Sequence, residues 1–288
     1  MDPITAFMVT HARLLDRRRA ELALGHGDVD ATLAALAAYR NPDGGFGAIE
    51  PDLRAPSSQP VGALHAFEVF EEIAPATSPM AAGLCDWLGG VSLPDGALPF
   101  ALAGADYPGS APFWAAADPT EPSLHITACV AGIAHRVARH DPAVAAHPWL
   151  RDATRYCLGA IAEMNGIRHA LEYLFSLKLL DELPEARSEL ERLGSFLPPS
   201  GIVPVPGGLE DEAVRPIDFA PMPDRPVRAL FDPREIEAEL DRLAAEQADD
   251  GGWRVDWTGY SPAAQLEWRG WATVRAIRIL TANGRRLS

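Results

Sequence analysis

His125 and Cys129 stand four residues apart in Ser-Leu-His-Ile-Thr-Ala-Cys. On a helix that spacing puts an imidazole and a thiol on one face, where both reach a single zinc ion. No third ligand can be named from the sequence, and unpaired cysteine is among the most buried residue types, so a packed thiol is the favoured reading and no metal is expected. His65 sits early in its own segment, seven residues after Ser58, at a place similar to that of His125. Imidazoles and carboxylates exchange protons near neutral pH when a fold brings them together, which makes His125, His65 and Glu172 the candidates for acid–base catalysis. Asp52, Tyr107, Trp114, His169, Trp257, Tyr260, Glu267 and Trp268 are candidates for substrate contact, with Asp218 beside them, because aromatic walls suit apolar ligands and cations alike. Each has a plainer reading: a single interior histidine or acid is more often a satisfied polar group, and a tryptophan more often a packing anchor.

These residues need elements to position them, and the chain announces its elements through a repeated turn. Asn-Pro-Asp-Gly-Gly-Phe-Gly carries Asp43, Gly44, Gly45 and Phe46, and Leu-Pro-Asp-Gly-Ala-Leu-Pro-Phe carries Asp95, Gly96 and Phe100. Pro-Pro-Ser-Gly carries Gly201, and Gln-Ala-Asp-Asp-Gly-Gly-Trp carries Asp250, Gly251, Gly252 and Trp253. Gly44, Gly96, Gly201 and Gly251 fall 52, 105 and 50 residues apart, a period of about fifty with one unit degraded near residue 150. Glycine supplies the positive φ that ends a helix, and the following aromatic drops back onto the packed layer. The Asp residues of these turns are read as turn or cap residues and set aside as site candidates.

The segments before the turns, such as 28–40 and 234–247, carry charges on one face and read as an outer layer. The segments after them start near Ser57, Glu121, Arg168 and Ser261. The first three are apolar or small nearly all round and read as an inner layer; Ser57 and Ser261 stand at expected N-cap sites with Pro in the first turns. No stretch alternates with period two, so the fold class is all-α. The Pro-rich loops at about 48–59, 101–122 and 202–232 all precede inner helices and are expected to gather on one rim, the last as a loop or lid. One domain, 1–288, accommodates the whole pattern.

Composition narrows the partners. Apolar residues form 48% and charged residues 23% of the 288, enough to bury a large core. A formal charge of −15 repels phosphate backbones and anionic lipid surfaces, so no nucleic acid is expected. No run approaches the roughly 20 apolar residues that span a bilayer. Three cysteines without paired spacing, and an N-terminal stretch without a signal pattern, fit a cytoplasmic protein. The sequence leaves the oligomeric state open.

Gln247, Asp250, Gly251, Gly252 and Trp253 reproduce the Q-x-x-D-G-G-W repeat of squalene–hopene cyclases, oxidosqualene cyclases and protein prenyltransferase β subunits, and Arg40 to Phe46 resembles a second copy. The resemblance implies an α/α toroid of about five to six helical hairpins. It does not imply a reaction, since the repeat ties ring helices together. The acid motif D-x-D-D-T-A of alkene-protonating cyclases is replaced here by Ser-Leu-His125-Ile-Thr-Ala, and the prenyltransferase Asp-x-Cys pair is absent. There is no phosphate loop, diphosphate-metal motif or dinucleotide fingerprint, so no cofactor is expected. The expected function is a terpene cyclase-like enzyme acting on a hydrophobic, isoprenoid-like or polycyclic small molecule. The alternatives are a toroid carbohydrate lyase or hydrolase and a non-catalytic small-molecule-binding protein.

Overall fold

The computed structural model describes residues 2–209 and 212–287. It is all-α: in chain order the helices are α1 (Pro3–Thr10), α2 (Leu14–Ala23), α3 (Val29–Ala37), α4 (Pro60–Glu72), α5 (Pro79–Val91), α6 (Pro112–Ala115), α7 (Leu124–Ala138), α8 (Pro142–Ala145), α9 (Pro148–Ala162), α10 (Ala170–Glu182), α11 (Arg187–Gly194), α12 (Pro216–Phe219), α13 (Pro233–Ala245) and α14 (Pro262–Ala282). Strands β1 (Val203–Pro204) and β2 (Ala213–Val214) form a small antiparallel hairpin, with Val203 opposite Val214.

The repeated turn is one structure used four times. Gly44, Gly96, Gly201 and Gly251 all take positive φ, from 66° to 96°. Their N–H groups donate three residues back, to Asn41, Leu93, Pro198 and Ala248. One residue before each glycine, a side chain caps the turn: Asp43, Asp95 and Asp250 accept from the second N–H beyond them, as Ser200 does at the third turn. Trp253 then drops into the core, 2% exposed, with its indole N–H donated to the Leu243 carbonyl at 2.7 Å. Its backbone N–H meets Thr273 Oγ1 on α14, and Leu98 meets Thr127 Oγ1 on α7 in the same way. At the second turn the buried position therefore belongs to Leu98, while Phe100 is left half-buried.

Layering follows the sequence pattern. α7 buries eleven of its fifteen residues, whereas α13 buries four of thirteen. α4 packs on α7, α7 on α10, α14 on α2 and α2 on α4, while α3, α5, α9, α11 and α13 flank this set. The unit after Gly201 has only the single turn of α12 where the others have a long helix. The degraded unit is α9, residues 163–169 and α10, joined without a positive-φ glycine.

Two expectations need correction. Ser261 caps α14, accepting from Ala264 N at 3.1 Å, but Ser57 does not cap α4. Pro60 occupies the first helical position, which makes Gln59 the cap residue, and the neighbouring Ser58 hydroxyl is drawn into the first turn by Asp43 and Asn41. The three Pro-rich loops also do not share one rim. Residues 48–59, 101–122 and 257–262 do meet, through Ala111 N to Asp52 O, Arg54 N to Ser110 Oγ and Tyr260 N to Asp52 Oδ1. The stretch 216–230 is instead pinned near the C-terminal ends of α10 and α14: Asp181 receives Val227 N and Arg225, and Asn283 bonds Pro221 O and Arg228.

Candidate functional site

On each of four long helices a set of partly exposed side chains shares one face. On α4 these are Leu64, Glu68 and Glu71; on α10, Leu171, Phe175, Lys178 and Glu182; on α14, Trp268, Trp271, Arg275 and Arg278. On α7 His125 and Arg136 are partly exposed and lie about three turns apart on one face. Spacings of three and four residues put each set on one helix face. The faces meet: Trp271 Nε1 donates to Glu68 at 3.0 Å, Arg278 pairs with Glu71 at 2.9 Å, and His125 stacks on Phe175 at 5.3 Å. Side chains of four helices thus converge on one interior region, aromatic toward the helix N-termini and charged toward the C-termini.

At the N-terminal end Asp52 is 5% exposed. Its two carboxylate oxygens accept from Tyr260 N at 3.0 Å and from Trp268 Nε1 at 2.6 Å. Burial raises its pKa above the ordinary range against these two hydrogen bonds, and the charges of Glu50 and Glu267 push the same way. Trp268 stands edge-on to Trp257 (5.1 Å) and Trp271 (5.6 Å), so the indole that bonds the carboxyl is itself flanked by two more. Glu267 is held away from it, on Arg54 at 2.5 Å and near Arg13 at 3.6 Å.

His65 lies just behind, 6.1 Å from Trp268 ring to ring. Nε2 meets Glu50 at 2.7 Å and Nδ1 meets Glu68 at 3.3 Å. Burial opposes a charge here, but the bonds and charges of the two carboxylates outweigh it and raise His65 to about 9. Glu68 is pushed the other way, far below the usual carboxylate range: burial opposes this, and Arg19, His65 and Trp271 overcome it. Arg19, 3% exposed, completes the network on Glu68 and Glu72. A doubly bonded, protonated imidazole orders this network and is a poor proton shuttle, so His65 is better read as a support of the site than as its base.

His125 is the opposite case. It stands between Phe100, Phe175 and His169, and burial together with the neighbouring His169 lowers it to about 3. At neutral pH it is an uncharged aromatic wall. Cys129, one turn on, is driven well above an ordinary thiol by burial, which disfavours the thiolate that zinc requires. Among the described residues no group of three or more His, Cys, Asp or Glu stands together to hold a metal.

An aromatic arc joins the two histidines' surroundings. Tyr260 meets Phe113 (5.7 Å), Phe113 meets Trp114, Trp114 stacks on Phe100 (4.7 Å), and Phe100 meets His125. Among the described residues the Trp114 indole N–H is buried without an acceptor. His169 caps α10 and is exposed, while Tyr107 is 45% exposed with its ring outside the arc. Glu172 lies in the first turn of α10 within electrostatic reach of Tyr156, so it is not gathered with Asp52 and His65. Asp218 pairs with Arg275 at the charged end of the region. A cleft of about 480 Å³ lined by Glu246, Asp249, Arg254 and Asp256 lies at the α13–α14 turn, off this arc.

Glu50, Glu68, Arg19 and Trp271 were not singled out by sequence reasoning. The signal was present for Glu68 and Trp271, which stand three residues from His65 and Trp268 on the same helix faces. It was absent for Arg19, whose partners are 49 and 53 residues away. The chain matches no family model and no curated protein. No described helix is long and apolar enough to cross a membrane.

Proposed function

We propose that the helices form an α/α toroid of six hairpins in one domain, and that the chain is an enzyme binding a hydrophobic, isoprenoid-like or polycyclic small molecule in its lumen. The pairs would be α1–α2, α3–α4, α5–α7, α9–α10, α11–α12 and α13–α14, with the second of each pair inside. The repeat resemblance and the facing stripes of α4, α7, α10 and α14 support this reading. The observation that carries the enzymatic part is Asp52, a buried carboxyl with raised proton affinity held by Trp268 Nε1 and the Tyr260 backbone N–H, with Trp257 edge-on to Trp268. A carboxyl of this kind gives or takes a proton beside an apolar ligand, and the indole faces stabilise positive charge that develops there. His65, Glu50 and Glu68 hold the indoles in place through Trp271 and Trp268. His125, Phe100, Phe175 and Trp114 form the apolar wall.

The reading puts Asp52 in the acid–base role that His125 and His65 would otherwise fill, and makes the reaction a cyclase-, isomerase- or lyase-type proton transfer without a cofactor. Native mass spectrometry of freshly purified protein tests it. Wild type retains an apolar small molecule that Trp268→Ala releases; retention of a sugar, or equal retention by both proteins, would overturn it.

A further inference from the structure

The chain contains one lysine, Lys178, against twenty-four arginines. That lysine is on the half-buried stripe of α10, its Nζ 5.8 Å from the centre of the Phe175 ring. Among the described residues no carboxylate or carbonyl accepts a hydrogen bond from it. The groups facing it are Cys129 and Arg136 from α7, Asp218 from α12 and Arg275 from α14. On its own helix Glu182 lies one turn further on. The nearby acids are engaged elsewhere: Asp218 with Arg275 and the Arg215 N–H, Glu182 with Arg139 and Arg225. Among the described residues the Arg136 Nε–H is buried without a hydrogen-bond acceptor, its ion pair with Glu71 spanning 3.8 Å.

A lysine kept for structure is normally given a carboxylate. This one is set among two guanidiniums, a thiol and an aromatic ring, with its one facing carboxylate, Asp218, already paired to Arg275; burial and the guanidiniums together disfavour the protonated amine. We propose that Lys178 is a nucleophilic amine that forms an imine with an apolar aldehyde or ketone bound in the interior, the Arg136 Nε–H, which lacks a hydrogen-bond acceptor, donating to the carbonyl oxygen. The inference rests on the interior-ligand reading above and names the class of ligand.

The step balances without an oxidant or reductant. The Nζ lone pair forms a bond to the carbonyl carbon as the C=O π pair moves to oxygen, which gains one of the two amine protons through water. The resulting carbinolamine loses its hydroxyl and the remaining nitrogen proton as water, leaving the C=N bond. Burial first, then Arg275 and Arg136, lower Lys178 to about 8 from 10.5, which raises its free-amine fraction at pH 7 by roughly 300-fold.

A sole lysine makes the test direct, because the α-amino group is the only other amine and its ordinary pKa of about 8 provides an internal reference. Full-length protein at pH 7 is treated with decanal and sodium cyanoborohydride, and separately with acetaldehyde, and the adducts are mapped by peptide mass spectrometry. Decanal attaches to Lys178 at a rate at least equal to that at the α-amine, and Lys178→Arg leaves the α-amine adduct alone. Lys178 lagging the α-amine by a hundredfold or more with both aldehydes overturns the proposal, a result read on wild type whether or not the variant folds. Attachment of acetaldehyde but not decanal keeps the amine as a nucleophile and overturns the apolar-ligand reading beneath it.

Discussion

Replacing His65 with Gln should remove a pH-dependent share of stability whose size follows from the network around the ring. His65 is 2% exposed and meets Glu50 at 2.7 Å and Glu68 at 3.3 Å, so solvent screens neither contact strongly. Its folded-state pKa is about 9 against an ordinary 6.5, and each pH unit of displacement is worth about 1.4 kcal/mol, giving about 3 kcal/mol. The folded pKa is the higher one, so this contribution is fully present below pH 6.5 and is lost as pH rises from there through 9. Lys178, lowered from 10.5 to about 8, titrates in an overlapping window with opposite sign, but it is common to both proteins and cancels in their difference. Urea denaturation of wild type and His65→Gln at pH 6 and at pH 9.5 measures that difference. The gap in unfolding free energy should narrow by about 3 kcal/mol between the two conditions. A gap that stays constant would refute a charged His65, and with it the assignment of the ring as a support of Asp52's surroundings.

Arg19→Met strips Glu68 and Glu72 of a buried partner and should cost about 3–5 kcal/mol in urea melts at neutral pH, with recovery at low pH as the carboxylates are protonated. Gly251→Ala puts a Cβ 2.1 Å from the Pro3 carbonyl oxygen at a φ of 92°, whereas Gly207→Ala, at φ 83°, meets nothing within 4 Å. Both lose about 1 kcal/mol or more to the left-handed backbone, and the first should lose clearly more in thermal melting, since α1 must move. Trp253→Phe removes the buried indole donor to the Leu243 carbonyl and should cost about 1–3 kcal/mol without altering the pH profile.

The turns were legible because their cause is local. A positive φ selects glycine, and the capping Asp is its immediate neighbour in sequence, so Asp-Gly at positions 43–44, 95–96 and 250–251 carries the whole instruction. The weak third copy, Ser200–Gly201, makes the same turn with a hydroxyl in place of the carboxylate. Layering was legible for the same kind of reason, since α7 is apolar on nearly every face. The site was only partly so. Asp52, Trp257, Tyr260, Trp268 and His65 do come together, because the loops before α4 and α14 meet, but the partners of His65 could not be read from its neighbours alone. Glu50 lies in the loop before α4, and Arg19 reaches Glu68 and Glu72 from α2. His125 looked like a titrating group, and what decides otherwise is burial among Phe100 and Phe175, a consequence of packing between α7 and α10. Lys178 was visible only in composition, as a count of one, and its setting required three other helices.

The most direct test of the account is to incubate an apolar metabolite extract of the host with wild type and with Asp52→Asn and to follow each component by liquid chromatography and mass spectrometry. The amide keeps an acceptor for the Trp268 indole but can neither give nor take the proton. Wild type should deplete one apolar component and release an isomer or elimination product, while Asp52→Asn retains that component unchanged. Depletion at equal rates by both proteins, or retention of no apolar component by either, would contradict a proton transfer at Asp52 in an apolar interior.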